Sequence, residues 1–137
     1  MPKVYIRRVV KFNAAHRLHN PEMSDAWNLA TFGKCNNPNW HGHNYILEVV
    51  VAGEPDALTG FVVDLSDLKK IIEDRIVARC DHKNLNVDVE FLKGQMTSTE
   101  NFAVAIWKEL EPLIPTGELH CVRLHETDNN SVEYYGE

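Results

Sequence analysis

Cysteine is scarce in this chain. Cys35, Cys80 and Cys121 are the whole set in 137 residues, an odd number in no dense pattern. That excludes a disulfide-stapled secreted scaffold and points to a reducing compartment. Long apolar runs are missing too. No stretch nears the roughly 18 apolar residues of a membrane span, and no apolar N-terminal segment has signal-peptide form. The expectation is a soluble, cytoplasmic protein. Positive charge is also short: 14 Lys and Arg against 20 Asp and Glu give a formal net charge of −6. Nucleic acid and anionic membrane both call for a basic field, so neither is expected as a partner. A local basic pocket for a small anion is still allowed. Repeats and low-complexity segments are absent. A chain of this length is expected to form one domain, 1–137, with enough buried surface for a core without staples.

Periodicity supplies the elements. Residues 3–18 are rich in β-branched and aromatic residues, and from Phe12 the even positions Phe12, Ala14, His16 and Leu18 share one face of a strand. Residues 19–40 read as a long polar connection. A second strand over 43–53 puts Tyr45, Leu47, Val49 and Val51 on the face of His43. Asp64–Asp67 opens a helix with Leu65, Leu68, Ile71, Ile72 and Ile76 at helical spacing, ending near Arg79. Residues 81–86 read as loop. Thr97-Ser98-Thr99-Glu100 fits a capping box before a second helix striped by Phe102, Ala103, Ile106, Trp107 and Leu110. Residues 118–126 and 131–135 read as a hairpin with Thr127–Asn130 at its tip. The order ββααββ predicts an α+β fold, a four-stranded antiparallel sheet with two helices on one face.

Chemistry concentrates around Cys35 to Tyr45. His41 and His43 lie two apart in a strand, so they offer two imidazoles to one point. His16, on the neighbouring strand, is a candidate third ligand; His19, His120 and His125 are rivals. Three imidazoles with an open position form the catalytic zinc pattern, whereas two solvated histidines at a strand entry are the bland reading. Cys35 reads equally as a nucleophile or base, as a fourth ligand closing a structural site, or as a packed thiol. Cys80 and Cys121 sit inside apolar patterns and read as core. Asp81-His82 reads as an oriented imidazole for proton transfer or as a helix C-terminus with a histidine near its negative dipole end. Glu126, on the face of Val122 and Leu124, reads as a partly buried carboxylate wanting a bidentate N–H partner or as an ordinary strand end. Glu100 is read first as a cap.

Together these stretches resemble the 6-pyruvoyl-tetrahydropterin synthase family. The resemblance is carried by Phe12–Leu18, Cys35–Tyr45, Asp81–Leu85, Ser98–Asn101 and Glu126–Asn130, in order across nearly the whole chain. It implies a T-fold whose sheets close into a barrel in a trimer, with two trimers stacked as a homohexamer and active sites at subunit interfaces. It implies a zinc-dependent lyase that converts 7,8-dihydroneopterin triphosphate to 6-pyruvoyl-tetrahydropterin and releases triphosphate. By resemblance, His16, His41 and His43 bind Zn²⁺, and Cys35 is the base. Asp81 and His82 complete a proton relay. Glu126 grips the pterin, and Thr99 and Glu100 line that pocket. Arg17 and Lys34 are candidates by position for the triphosphate. Trp40 stands where the family usually carries a small residue, often glycine. Relatives that make 6-carboxy-tetrahydropterin are the alternative, but their Cys-to-His spacing is shorter than Asn36–Trp40 here. A non-catalytic zinc-stabilised assembly module is the other.

Overall fold

A computed structural model describes residues 2–137; Met1, the first residue of the expected domain, lies outside the described residues. The strands are β1 (Val4–His16), β2 (His41–Gly53), β3 (Lys83–Asn84), β4 (Glu118–His125) and β5 (Ser131–Tyr134). The helices are α1 (Asp25–Phe32), α2 (Leu65–Ile72), α3 (Ala78–Cys80) and α4 (Thr99–Leu110). The α+β class holds. The strands form one mostly antiparallel sheet in the order β3-β1-β2-β4-β5, which does not close on itself within the chain.

One sheet face is buried. Val10, Phe12 and Ala14 of β1, Tyr45, Leu47, Val49 and Val51 of β2, and Leu119, Val122 and Leu124 of β4 pack with Leu68 and Ile72 of α2 and with Phe102, Ile106 and Leu110 of α4. The apolar alternation of each strand therefore matches the pleat. Phe12, Tyr45 and Phe102 meet with ring centroids 5.3–6.0 Å apart and form the floor beneath the histidines. Aromatic pairs of this kind add about 0.5–1.5 kcal/mol each beyond area burial.

Asp64 caps α2, its carboxylate accepting from Ser66 N–H at 2.8 Å. A π-helical stretch, Glu73–Val77, joins α2 to α3, so the expected single helix runs on to Cys80.

Three details differ from the sequence reading. The connection 19–40 holds α1, which is capped by Ser24 and organised by a polar side chain. Asn28, fully buried, donates to the carbonyls of Asn20, Met23 and Ser24 and accepts from Asn20 N–H. An element held by an amide shows no apolar stripe, which is why periodicity passes over it. Next, the expected loop 81–86 contributes a fifth strand. Lys83–Asn84 pairs in parallel with Ala14–Ala15, recruited by the edge of β1 and not by any pattern of its own. Finally, α4 is capped by Ser98 and not Thr97. The Ser98 hydroxyl accepts from Asn101 N–H at 3.2 Å, and Thr97 instead bonds to Asn86.

Candidate metal centre

The β1–β2 ladder is an unbroken antiparallel register from Val4↔Gly53 to His16↔His41. Both expected ligands of the second strand lie inside β2, which starts at His41. His16 and His41 are direct cross-strand partners, and His43 sits opposite Ala14 on the same face. Direct partners have Cβ atoms about 5 Å apart, so the register itself converges three imidazoles. Ring centroids of His16, His41 and His43 are 4.5–5.0 Å apart. One ligand nitrogen from each lies within 4.8 Å of the others. Tetrahedral zinc wants nitrogens about 3.3 Å apart, a spacing inside that limit.

Hydrogen bonding shows what the cluster is suited to. His16 is 1% exposed and its Nδ1–H donates to the Thr97 carbonyl at 2.7 Å. That leaves Nε2 as a free lone pair, and it is buried without a partner, as are both ring nitrogens of His41 and Nε2 of His43. Buried polar atoms are ordinarily paired; one orphan nitrogen from each of three converging rings fits a metal ion. Burial above all, then the neighbouring imidazoles, pulls the His16 pKa below its ordinary value, and burial followed by His43 does the same for His41. Neutral imidazole is the ligand form.

Glu126 stands beside the cluster just past the end of β4. Its oxygens lie 3.7 Å from His43 Nε2 and 3.9 Å from His16 Nε2, beyond hydrogen-bond range. The Thr99 hydroxyl donates to Glu126 Oε2 at 2.5 Å. The N-terminal end of α4 thus holds both groups: Thr97, just before the Ser98 cap, supplies the carbonyl that orients His16, and Thr99, the first helical residue, the hydroxyl that holds Glu126. Glu100, one residue on, is exposed and makes no hydrogen bond to the cluster among the described residues.

Cys35 lies in a turn, Gly33–Asn36, that follows α1, half-buried. Its thiol is not among the grouped ligand atoms, which offers no support for a closed site with a fourth ligand. Asp81 accepts from Asn13 N–H at 3.0 Å and holds His82 Nδ1 at 3.0 Å; these bonds, Asn13 first, keep its carboxyl below the usual range. His82 itself is exposed with φ 61°, pinned by its N–H to the Asn13 carbonyl. Among the described residues no hydrogen bond joins Cys35 to this pair. Of the rival histidines, His19 bonds to Asn36, His125 to Glu48, and His120 packs between Tyr5 and Tyr135. Cys80 is fully buried, its thiol pushed up to about 12, and burial likewise raises Cys121; both suit the core reading. Trp40, half-buried, takes φ 69° immediately before His41.

Sequence reasoning passed over the supporting groups. The Thr97 carbonyl is invisible because every residue has one. Tyr45 read as core, which it is, but its buried hydroxyl has no partner and lies close enough to Glu126 to feel its charge.

Residues 5–137 match the sequence profile of the 6-pyruvoyl tetrahydropterin synthase family. A human 6-pyruvoyl tetrahydrobiopterin synthase is 50% identical over 132 residues, 96% of this chain and 91% of that protein. The Drosophila melanogaster protein of the same name is 46% identical over 136 residues, covering 98% and 81%. The structure of Caenorhabditis elegans 6-pyruvoyl tetrahydropterin synthase superposes with a TM-score of 0.94 at 43% identity, over 100% of this chain and 98% of that one.

Proposed function

The chain belongs to the 6-pyruvoyl tetrahydropterin synthase family, and from that premise we propose how its own residues carry the reaction. It is an enzyme of tetrahydrobiopterin biosynthesis acting on a pterin. In our reading it is a lyase that takes 7,8-dihydroneopterin triphosphate to 6-pyruvoyl-tetrahydropterin with loss of triphosphate and no external reductant. Residues 1–137 act as one domain. The observation that carries this is the convergence of His16, His41 and His43, with orphan nitrogens, beside the carboxylate of Glu126.

The three imidazoles would hold Zn²⁺, a Lewis acid that lowers the pKa of hydroxyls on the substrate side chain. The remaining roles belong to the chain. Glu126 accepts the pterin's amino and ring N–H groups bidentately, a strong charge-assisted pair, and Thr99 fixes that carboxylate. Glu100 is assigned to the rim of the same pocket. Cys35 takes a proton from the side-chain carbon, and Asp81 orients His82 to relay it. Among the described residues no hydrogen bond joins Cys35 to the Asp81–His82 pair, and we place the working site between subunits, where a neighbouring chain completes it. The outer edge of β1 is paired only at Ala14–Ala15, and β5 is the other open edge. Closure of three sheets into a barrel removes such edges, in keeping with a homohexamer of two trimers.

No helix among the described residues is long and apolar enough to cross a membrane. The three cysteines are free, in keeping with a reducing cytoplasm. In the test, Cys35→Ala keeps zinc and loses turnover, while chelation of the parent leaves folded, inactive protein that zinc restores. Full turnover by zinc-loaded Cys35→Ala would remove the thiol from the base's role. Melting on chelation would favour a structural metal.

A further inference from the structure

Three rings floor the metal cluster, Phe12, Tyr45 and Phe102, and Tyr45 alone carries a hydroxyl. The residue is 0% exposed, and its oxygen has no partner among the described residues. A buried hydroxyl without a bond destabilises, and phenylalanine fills the same space without that penalty. The floor already holds two phenylalanines, so packing does not account for the tyrosine.

Tyr45 is also the ring of the floor that meets the ligands. Its centroid lies 5.8 Å from that of His43 and 6.5 Å from that of His16, both edge-on. The carboxylate of Glu126 borders the same imidazole, with Oε1 3.7 Å from His43 Nε2. Burial first, and then the charge of Glu126, keep the Tyr45 hydroxyl protonated and able to donate. Cys80, the other group it senses, is a buried thiol held neutral and a weak acceptor.

Glu126 has a place for this donor. An ionised carboxylate offers about four lone-pair sites. The Thr99 hydroxyl takes one, on Oε2 at 2.5 Å. A bidentate pair of pterin N–H groups takes one on each oxygen. The site left over is on Oε1, which accepts no hydrogen bond among the described residues.

We propose that Tyr45 is a positioning residue for pterin recognition, its hydroxyl donating to Glu126 Oε1 once the pterin has drawn the carboxylate into place. The inference rests on the pterin-binding role proposed for Glu126 and adds the second donor that steadies it. Thr99 then holds the carboxylate from the helix layer and Tyr45 from the sheet. The orphan hydroxyl belongs to the free state, and binding relieves it.

The test is Tyr45→Phe in the zinc-loaded protein, with 7,8-dihydroneopterin as the calorimetric probe. Affinity should fall by about tenfold or more, the worth of a hydrogen bond to a charged group. The loss with the triphosphate ester should fall on KM more than on kcat. Zinc affinity should stay parental. Ligand-free protein should unfold at the parental temperature or above it, since phenylalanine gives up no bond there. A merely structural role would instead lower the unfolding temperature and spare pterin affinity. In a Glu126→Ala background, which lacks the acceptor, Tyr45→Phe should weaken the pterin no further.

Parental pterin affinity in Tyr45→Phe would overturn the proposal. So would the same tenfold loss with Glu126 removed, or unfolding of Tyr45→Phe well below the parent. A parent that makes the 6-pyruvoyl product while Tyr45→Phe binds as the parent does loses only this inference. A parent that binds dihydroneopterin through Tyr45 and Glu126 but leaves the ester unchanged keeps it and loses the lyase reading.

Discussion

His16 donates its Nδ1–H to the main-chain carbonyl of Thr97 at 2.7 Å. A carbonyl only accepts, so the bond fixes the tautomer and leaves Nε2 aimed at the other two imidazoles. The partner residue directly precedes the cap of α4, so the helix layer orients a ligand that the sheet supplies. A partner of this kind also raises ligand basicity.

His16→Ala should therefore lower zinc affinity by about 100-fold or more, beyond what loss of an outer partner costs. The protein should still fold, because the β1–β2 register runs on over twelve further pairs from Val4 to Ala15. A competitive zinc titration with thermal unfolding checks both. Near-parental zinc affinity would exclude His16 as a ligand.

Acid should weaken the metal-free protein through the same residues. Burial holds the folded pKa of His16 and of His41 below the ordinary 6.5. Below that value the unfolded chain binds more protons than the folded one, so stability falls as pH drops. Above it both states are neutral and the contribution is constant. Zinc affinity should fall in the same direction, since the metal competes with protons. Thermal unfolding of metal-free protein from about pH 7.5 to about 5.5 should show the decline, and it should be shallower in His16→Ala. Equal slopes in the two proteins would contradict the assignment.

Glu126→Gln should leave zinc binding close to parental while weakening the pterin by about 10- to 100-fold, the range for a charge-assisted pair. Glu126 lies outside bonding range of the histidines, which motivates the separation of effects. Calorimetry with a dihydropterin and with zinc measures the two independently. Loss of zinc with unchanged pterin affinity would reverse the roles.

Trp40 occupies the left-handed region at φ 69°. A side chain costs about 1–2 kcal/mol there, and glycine escapes that cost. Trp40→Gly should thus exceed Trp40→Ala in stability by about 1 kcal/mol, because both lose the indole and only alanine keeps the strain. Denaturant midpoints of the two variants decide it, and equal midpoints would show that the turn relaxes.

Most of this fold could be read from periodicity. Alternation in β1 and β2 already put His16, His41 and His43 on the faces of Phe12 and Tyr45, and the structure adds the register that makes His16 and His41 partners. α1 escaped because Asn28 holds it with amide bonds, and β3 because two residues borrow their pairing from β1. Spacing did not reveal the guanidinium of Arg17 locked by Asn36 or the imidazole of His16 locked by Thr97. Both depend on main-chain carbonyls brought in from distant segments. Cys35 and His82 were legible as chemistry but not as partners, and among the described residues no hydrogen bond joins them.

The central claim is tested most directly by the product. Zinc-loaded protein is incubated with 7,8-dihydroneopterin triphosphate, without reductant, and the pterin is identified by mass. A 6-pyruvoyl side chain with released triphosphate is the expected result. A 6-carboxyl pterin with acetaldehyde would move the chain to the sister reaction. Unchanged substrate with zinc bound would contradict the account.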